Sequence, residues 1–253
     1  RIHIDDDIQS CSVEEVDFSS SRTACEQAFA WSQKQFNEPM SIEKSKLLFK
    51  FSLLKVSDLE YWIFCKSHHL ICDGFGFTIV ASYIADAYRD ITSNSNASFS
   101  YPQYITEVIN SSAFYSSQAY QRELNYWKER IKTIPPGFFG PSARHSSYRK
   151  KLSIKLEPAL QQQIAEMQIR NKCSLQLLTT ALVSIYFAKA YRQPEVLLGV
   201  LIHKRRTKSQ KNIVGTFSGI LPCLITNNPE ERFDVFLSNL KQTYLSDYRN
   251  QNL

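Results

Sequence analysis

Two adjacent histidines, His68 and His69, are followed by Asp73 and Gly74 in the run His68-His69-Leu70-Ile71-Cys72-Asp73-Gly74. Imidazole is the side chain whose ordinary pKa lies closest to neutrality, so one of the pair can move or hold a proton while the carboxylate fixes the local geometry. In an extended backbone successive side chains face opposite ways; at most one histidine then faces a substrate, and the other packs. Gly74 permits a close backbone approach or a positive φ, and its N–H could donate to a developing oxyanion near a helix start. The same residues have a plainer reading. A histidine at a strand end is structural more often than catalytic, and Asp-Gly is a common turn. A metal site is not indicated, because adjacent histidines seldom converge on one ion and no third ligand stands at metal-site spacing.

The elements around this run must present it. Leu47, Phe49, Phe51 and Leu53 alternate with their neighbours, and the β-favouring stretch Tyr61 to Cys65 follows the Ser57-Asp58 turn, predicting two hairpin-paired strands. After the run, Phe77, Val80, Ile84 and Tyr88 recur at helical spacing, so the histidines occupy a strand-to-helix loop, where the backbone is committed to neither ladder nor helix. A helix is predicted over 22–36, ahead of the strands, and another carries Tyr120, Leu124, Trp127 and Ile131 after the polar connector at 92–98. Residues 135–147 hold three of the nine prolines and two of the seven glycines, a composition that suits a crossing between lobes. The expected organisation is a first lobe over 1–134, the crossing, and a second lobe over 148–253. In the second lobe Leu152, Ile154 and Leu156 alternate as a strand, Pro158 opens a helix, and Ser174 is placed to cap the next. Val196 to Ile202 is apolar on both faces, as in a central strand, and Pro222 makes 220–226 an edge or bulged one. Asn228-Pro229 reads as the start of a final helix bearing Phe233, Phe236, Leu240 and Tyr244. The fold class is α/β with mixed sheets.

With 253 residues, 43% of them hydrophobic, the chain can bury one large core or two smaller ones. No apolar stretch approaches the ~18 residues of a membrane span, and the acidic opening residues do not resemble a signal peptide, so no membrane anchor is expected. The six cysteines include no Cys-x-x-Cys pair, which suggests a reducing cytoplasm and no zinc. The net charge of +6 is moderate, and the basic run His203 to Lys211 has no interleaved aromatics for base stacking, which argues against a nucleic-acid partner.

The His68 to Gly74 run resembles the His-His-x-x-x-Asp-Gly signature of the nonribosomal peptide synthetase condensation domains, matching every specified position. Further segments resemble the family in order: Tyr101-Pro102-Gln103-Tyr104, Tyr126-Trp127, Gly199 to Arg205, and Val214-Gly215-Thr216-Phe217-Ser218-Gly219-Ile220-Leu221-Pro222. Ser218-Gly219-Ile220 departs from the family's Val-Asn-Thr and puts the usual substrate contacts there in question. The resemblance implies a two-lobed chloramphenicol-acetyltransferase-like fold, incomplete at both ends in these 253 residues. It implies an acyltransferase that passes a carrier-bound acyl or peptidyl thioester to an amine, as in antibiotic or siderophore synthesis. His69 and Gly74 would then be catalytic. His68, Asp73 and Arg205 would be structural at the active site, with Arg205 pairing Asp73, and Ser218 and Gly219 would border the substrate tunnel. No cofactor of the domain's own is implied: substrates arrive on the phosphopantetheine arms of carrier-protein domains upstream and downstream, with an adenylation domain in the same polypeptide. Epimerisation or ester-forming members share the signature, and a non-catalytic module that recruits carriers is the alternative of another class.

Overall fold

The computed structural model describes residues 13–43, 47–93, 101–138 and 151–252. They form two compact units, one drawn from residues 1–104 and 208–216, the other from 105–207 and 217–253.

The first unit is a three-stranded sheet with two helices. Strand β2 (Phe49–Lys55) and strand β3 (Tyr61–Ser67) are the expected antiparallel hairpin, with Phe49 opposite Ser67 and Lys55 opposite Tyr61. A short strand, β1 (Glu14–Asp17), joins β2 in parallel, Glu14 lying opposite Ser52. Helix α1 (Ala24–Asn37) buries its small residues, Ala24 and Ala28, against Leu54 and Val56. Trp31 meets Phe64 edge to face at 5.4 Å, the geometry that the ring quadrupoles prefer. Helix α2 (Gly74–Thr92) follows β3 after the histidine loop.

The second unit begins with α3 (Ile105–Tyr115) and α4 (Gln118–Arg130). Then come α5 (Pro158–Asn171), α6 (Leu175–Tyr191), β4 (Glu195–Ile202), β5 (Gly219–Thr226) and α7 (Phe233–Arg249). Strands β4 and β5 are antiparallel, with Glu195 opposite Thr226 and Ile202 opposite Gly219. The core of this unit joins Leu177, Leu178 and Ala181 of α6 to Val200, Cys223 and Ile225 of the strands and Phe236, Leu237 and Leu240 of α7. As expected, Pro158 sits in the first turn of α5, where its missing N–H costs no helical bond, and Ser174 caps α6 by accepting from Leu177 N at 3.2 Å.

Some sequence expectations are corrected, and others fall outside the described residues. Residues 151–157 form no strand, and Leu152 and Ile154 are 81% and 76% exposed, because alternation needs a neighbouring edge to become a strand and none of the described strands pairs there. Asn228 to Glu231 make a turn, with Glu230 N donating to Asn228 Oδ1 at 3.1 Å, and α7 starts later, at Phe233. Helices α3 and α4 group with the second unit, and the polar side chains of α4 reach partners there. Tyr126 Oη donates to Asp247 Oδ1 at 2.6 Å, Trp127 Nε1 to Asn250 O at 2.6 Å, and Arg130 Nη2 to Leu224 O at 2.7 Å. The expected crossing lies outside the described residues from 139 onward, as does the connector at 94–98.

Candidate active site

Strand β3 ends at Ser67, and His68 keeps one last ladder bond, its N–H donating to Leu48 O at 2.8 Å. The chain then turns tightly around the His68 side chain. Leu70 N donates to His68 Nδ1 at 3.1 Å and Ile71 N to His68 O at 3.0 Å. An Nδ1 that accepts leaves the proton of the neutral ring on Nε2. His68 is half-buried and spends its ring on the loop's own backbone, while His69 is exposed and its ring has no hydrogen-bond partner among the described residues. The two rings thus differ in exposure and in hydrogen bonding.

Asp73, 3% exposed, is the N-cap of α2: its Oδ1 accepts from Gly76 N at 2.7 Å, and the helix continues with Phe77 N on Asp73 O. Such a cap satisfies one of the orphan donors of the first turn and is worth about 1 kcal/mol. Gly74 is the first helical residue, and its N–H makes no bond to a described residue. That places a free donor at the positive end of a 19-residue helix dipole. Its φ is not positive, and a Cβ there would meet nothing within 4 Å. Of the two reasons for a glycine read from the sequence, positive φ is therefore excluded, and open space at the helix start remains.

Two residues on, Gly76 is the glycine without room for a side chain, and no sequence pattern pointed to it. A Cβ there would stand 2.7 Å from Cys72 Sγ, 3.1 Å from Gly215 O and 3.3 Å from Asp73 Oδ1. Residues 213–216, far along the sequence, also belong to this site. Asp73 N donates to Gly215 O at 3.3 Å, Thr216 Oγ1 donates to His69 O at 2.7 Å, and Tyr104 Oη donates to Thr216 O at 2.9 Å. Tyr83 Oη bonds Asn212 O just before them. The Tyr101 to Tyr104 and Val214 to Pro222 stretches stand out in the sequence by resemblance, but no spacing rule shows that they meet the histidine loop.

His68, His69, Asp73 and Gly74 thus share one loop of the first unit, and Arg205, Ser218 and Gly219 lie in the second. Arg205 is 1% exposed, with its guanidinium carbon 4.1 Å from the Phe217 ring centre, a cation–π placement, so this member of the basic run is not solvated. Gly219 begins β5 opposite Ile202, and the Lys204 chain lies across it, a Cβ there reaching within 2.7 Å of Lys204 Cε. Half-burial holds the Lys204 ammonium below the usual lysine pKa range. Two cavities lie elsewhere in the second unit, one of about 730 Å³ between α4, β5 and α7 and one of about 490 Å³ beside α6 and α7, and neither is lined by a residue named for the site. The described residues contain no cluster of three metal-ligating side chains and no single helix long and apolar enough to cross a membrane.

A family model described as the condensation domain matches residues 1–253. The chain belongs to the condensation domain family. It is 22% identical over 243 residues to surfactin synthase subunit 1 of Bacillus subtilis (strain 168), covering 94% of this chain and 7% of that one. It is 25% identical over 228 residues to bacitracin synthase 3 of Bacillus licheniformis, covering 87% and 3%. Among solved structures it is similar to VibH, an NRPS condensation enzyme, with a TM-score of 0.79 at 18% identity over 96% of this chain and 57% of that one. The first condensation domain of the calcium-dependent antibiotic synthetase, in complex with a substrate analogue, gives 0.77 at 15%, again over 96% and 57%. These likenesses show the mixed α/β condensation-domain fold. The chain spans under a tenth of the two synthases and just over half of the solved domains.

Proposed function

We propose that this chain is part of a condensation domain that joins a carrier-bound acyl or peptidyl thioester to a carrier-bound amine, with His69 and Gly74 at the reaction. The amine nitrogen attacks the thioester carbonyl, a C–N bond forms, and the C–S bond of the tetrahedral intermediate breaks. The amine gives up one proton and the departing phosphopantetheine thiolate takes one, so the products are an amide and a free thiol. A neutral amine is already a nucleophile, so the enzyme's task is mainly orientation and stabilisation of charge. His69 receives or holds the proton on the amine. The Gly74 N–H, at the start of α2, suits the oxyanion. Asp73 and Arg205 are structural in this reading, and Ser218 and Gly219 border the substrate path.

The observation that carries the proposal is the unequal fate of the two histidines: His68 is consumed by its own loop, and His69 is left exposed with an unengaged ring. Family membership supports the chemistry assigned to it. The partners are carrier-protein domains on either side of the reaction, in a multidomain synthetase that also contains an adenylation domain, and the protein acts in the cytoplasm. Mixing the intact protein with loaded donor and acceptor carriers and weighing the acceptor-bound product tests this reading. An acceptor heavier by the donor acyl group less one hydrogen, whose product resists further alkali once released from its carrier thioester, supports it. A released product that alkali splits into donor acid and acceptor indicates ester formation, and a donor of unchanged mass but inverted configuration indicates epimerisation.

A further inference from the structure

We propose that Thr216 is the positioning residue of His69: its hydroxyl, backed by Tyr104, fixes the His69 carbonyl and so aims a ring that no other described side chain holds. This rests on the condensation reading for its role in turnover, though not for its geometry.

The case begins with what the His69 ring lacks. An exposed imidazole without a hydrogen-bond partner can visit any staggered well about χ1 that its backbone permits. Its aim therefore depends on where the backbone puts Cα and Cβ. The loop's internal bonds run from Leu70 N and Ile71 N back to His68, and they leave the His69 carbonyl to be fixed from outside. Thr216 Oγ1 supplies that bond at 2.7 Å from a position 147 residues away. Threonine suits the task because its branched Cβ stiffens χ1, which places the hydroxyl rather than letting it swing.

Thr216 is itself held. Tyr104 Oη donates to Thr216 O at 2.9 Å, and the Tyr104 ring lies so close over Gly215 that a Cβ there would come within 2.3 Å of Tyr104 Cδ2. On its other side Gly215 O accepts from Asp73 N. The segment is therefore clamped between an aromatic ring and the histidine loop, and a displacement of Thr216 passes directly to the His69 carbonyl.

The test compares Thr216→Val, Thr216→Ser and Tyr104→Phe in the intact protein. One readout is steady-state acyl transfer between carriers. The other is the NMR signal of the His69 ring in histidine-labelled protein, assigned by its loss in His69→Ala. Thr216→Val keeps the shape and removes the donor; it should lower kcat roughly three- to tenfold, the worth of one neutral hydrogen bond, with KM for both carriers unchanged. Its His69 ring signal should move. Thr216→Ser should restore most of both, and Tyr104→Phe should give a smaller loss in the same direction. A His69 signal that stays in place in Thr216→Val overturns the proposal whatever kcat does. So does serine behaving like valine, or a moved signal with kcat unchanged in a protein that turns over. If the unaltered protein transfers nothing, the condensation reading falls, and the ring signal still decides the positioning claim.

Discussion

At the residue scale, two glycines of the same loop separate space from necessity. Gly74 starts α2 with room for a side chain, so Gly74→Ala should fold with an unfolding free energy within about 0.5 kcal/mol of the parent, since alanine is the better helix former. Any loss should appear in acyl transfer alone, where a methyl group intrudes on the approach to the N–H. Gly76→Ala should instead lower stability by roughly 1–3 kcal/mol in a urea titration, because its Cβ is driven into the buried Cys72 thiol and the Gly215 carbonyl. The opposite order of the two stabilities would contradict this account of the loop. The site residues legible in the sequence were those on this one loop, because a His-His run between a strand pattern and a helix pattern carries its context with it. Thr216, Gly215 and Tyr104 were visible only as matches to a family pattern. Nothing local in a threonine reports that its hydroxyl meets a carbonyl 147 positions earlier.

At the element scale, α4 and α7 show what periodicity leaves out. Tyr120, Leu124, Trp127 and Ile131 predicted a helix, and α4 is there over Gln118–Arg130, but its partner is chosen by polar side chains. Asp247 is fully buried, and its Oδ1 takes the Tyr126 hydroxyl and Arg130 Nε, the latter at 3.1 Å. Arg130→Met leaves that carboxylate without its cation and should cost roughly 3–5 kcal/mol in the same urea titration. A cost below about 1 kcal/mol would mean that the pair does not hold α4 in place. Burial, and then the bond to Asp247, push the Tyr126 hydroxyl up to about 12 from the usual 10. The folded state therefore keeps a proton that the unfolded chain releases, and the stabilisation, complete below pH 10, is lost as pH rises towards 12. Tyr126→Phe should flatten the fall in stability over that window, leaving the part due to other groups that burial holds up, among them Tyr244 and the buried Cys223 thiol, the latter raised to about 11. The hairpin of β2 and β3 was legible because its strands are contiguous and alternate. Strand β1 was not: four residues, mostly exposed, declare themselves only by their parallel neighbour.

At the scale of the whole molecule, composition and element order predicted an α/β protein of two parts, and two compact units are observed. Residues 208–216 group with the first unit although α3 and α4 group with the second, an arrangement that composition does not encode. The chain belongs to the condensation domain family, and in its histidine loop His68 accepts from the loop's own backbone while His69 is exposed. The most direct test is the mass of acceptor-bound product formed by the intact protein from loaded carriers, run beside His69→Ala. The account predicts an amide product, the acceptor heavier by the donor acyl group less one hydrogen, that falls at least roughly tenfold in the variant, the low end of what a positioned acid–base group contributes being higher still, with both proteins binding carriers equally. Carrier binding without any acyl transfer by the unaltered protein, over a varied set of donors and acceptors, would contradict it and leave a module that recruits carriers; undiminished transfer by His69→Ala would remove His69 from the reaction.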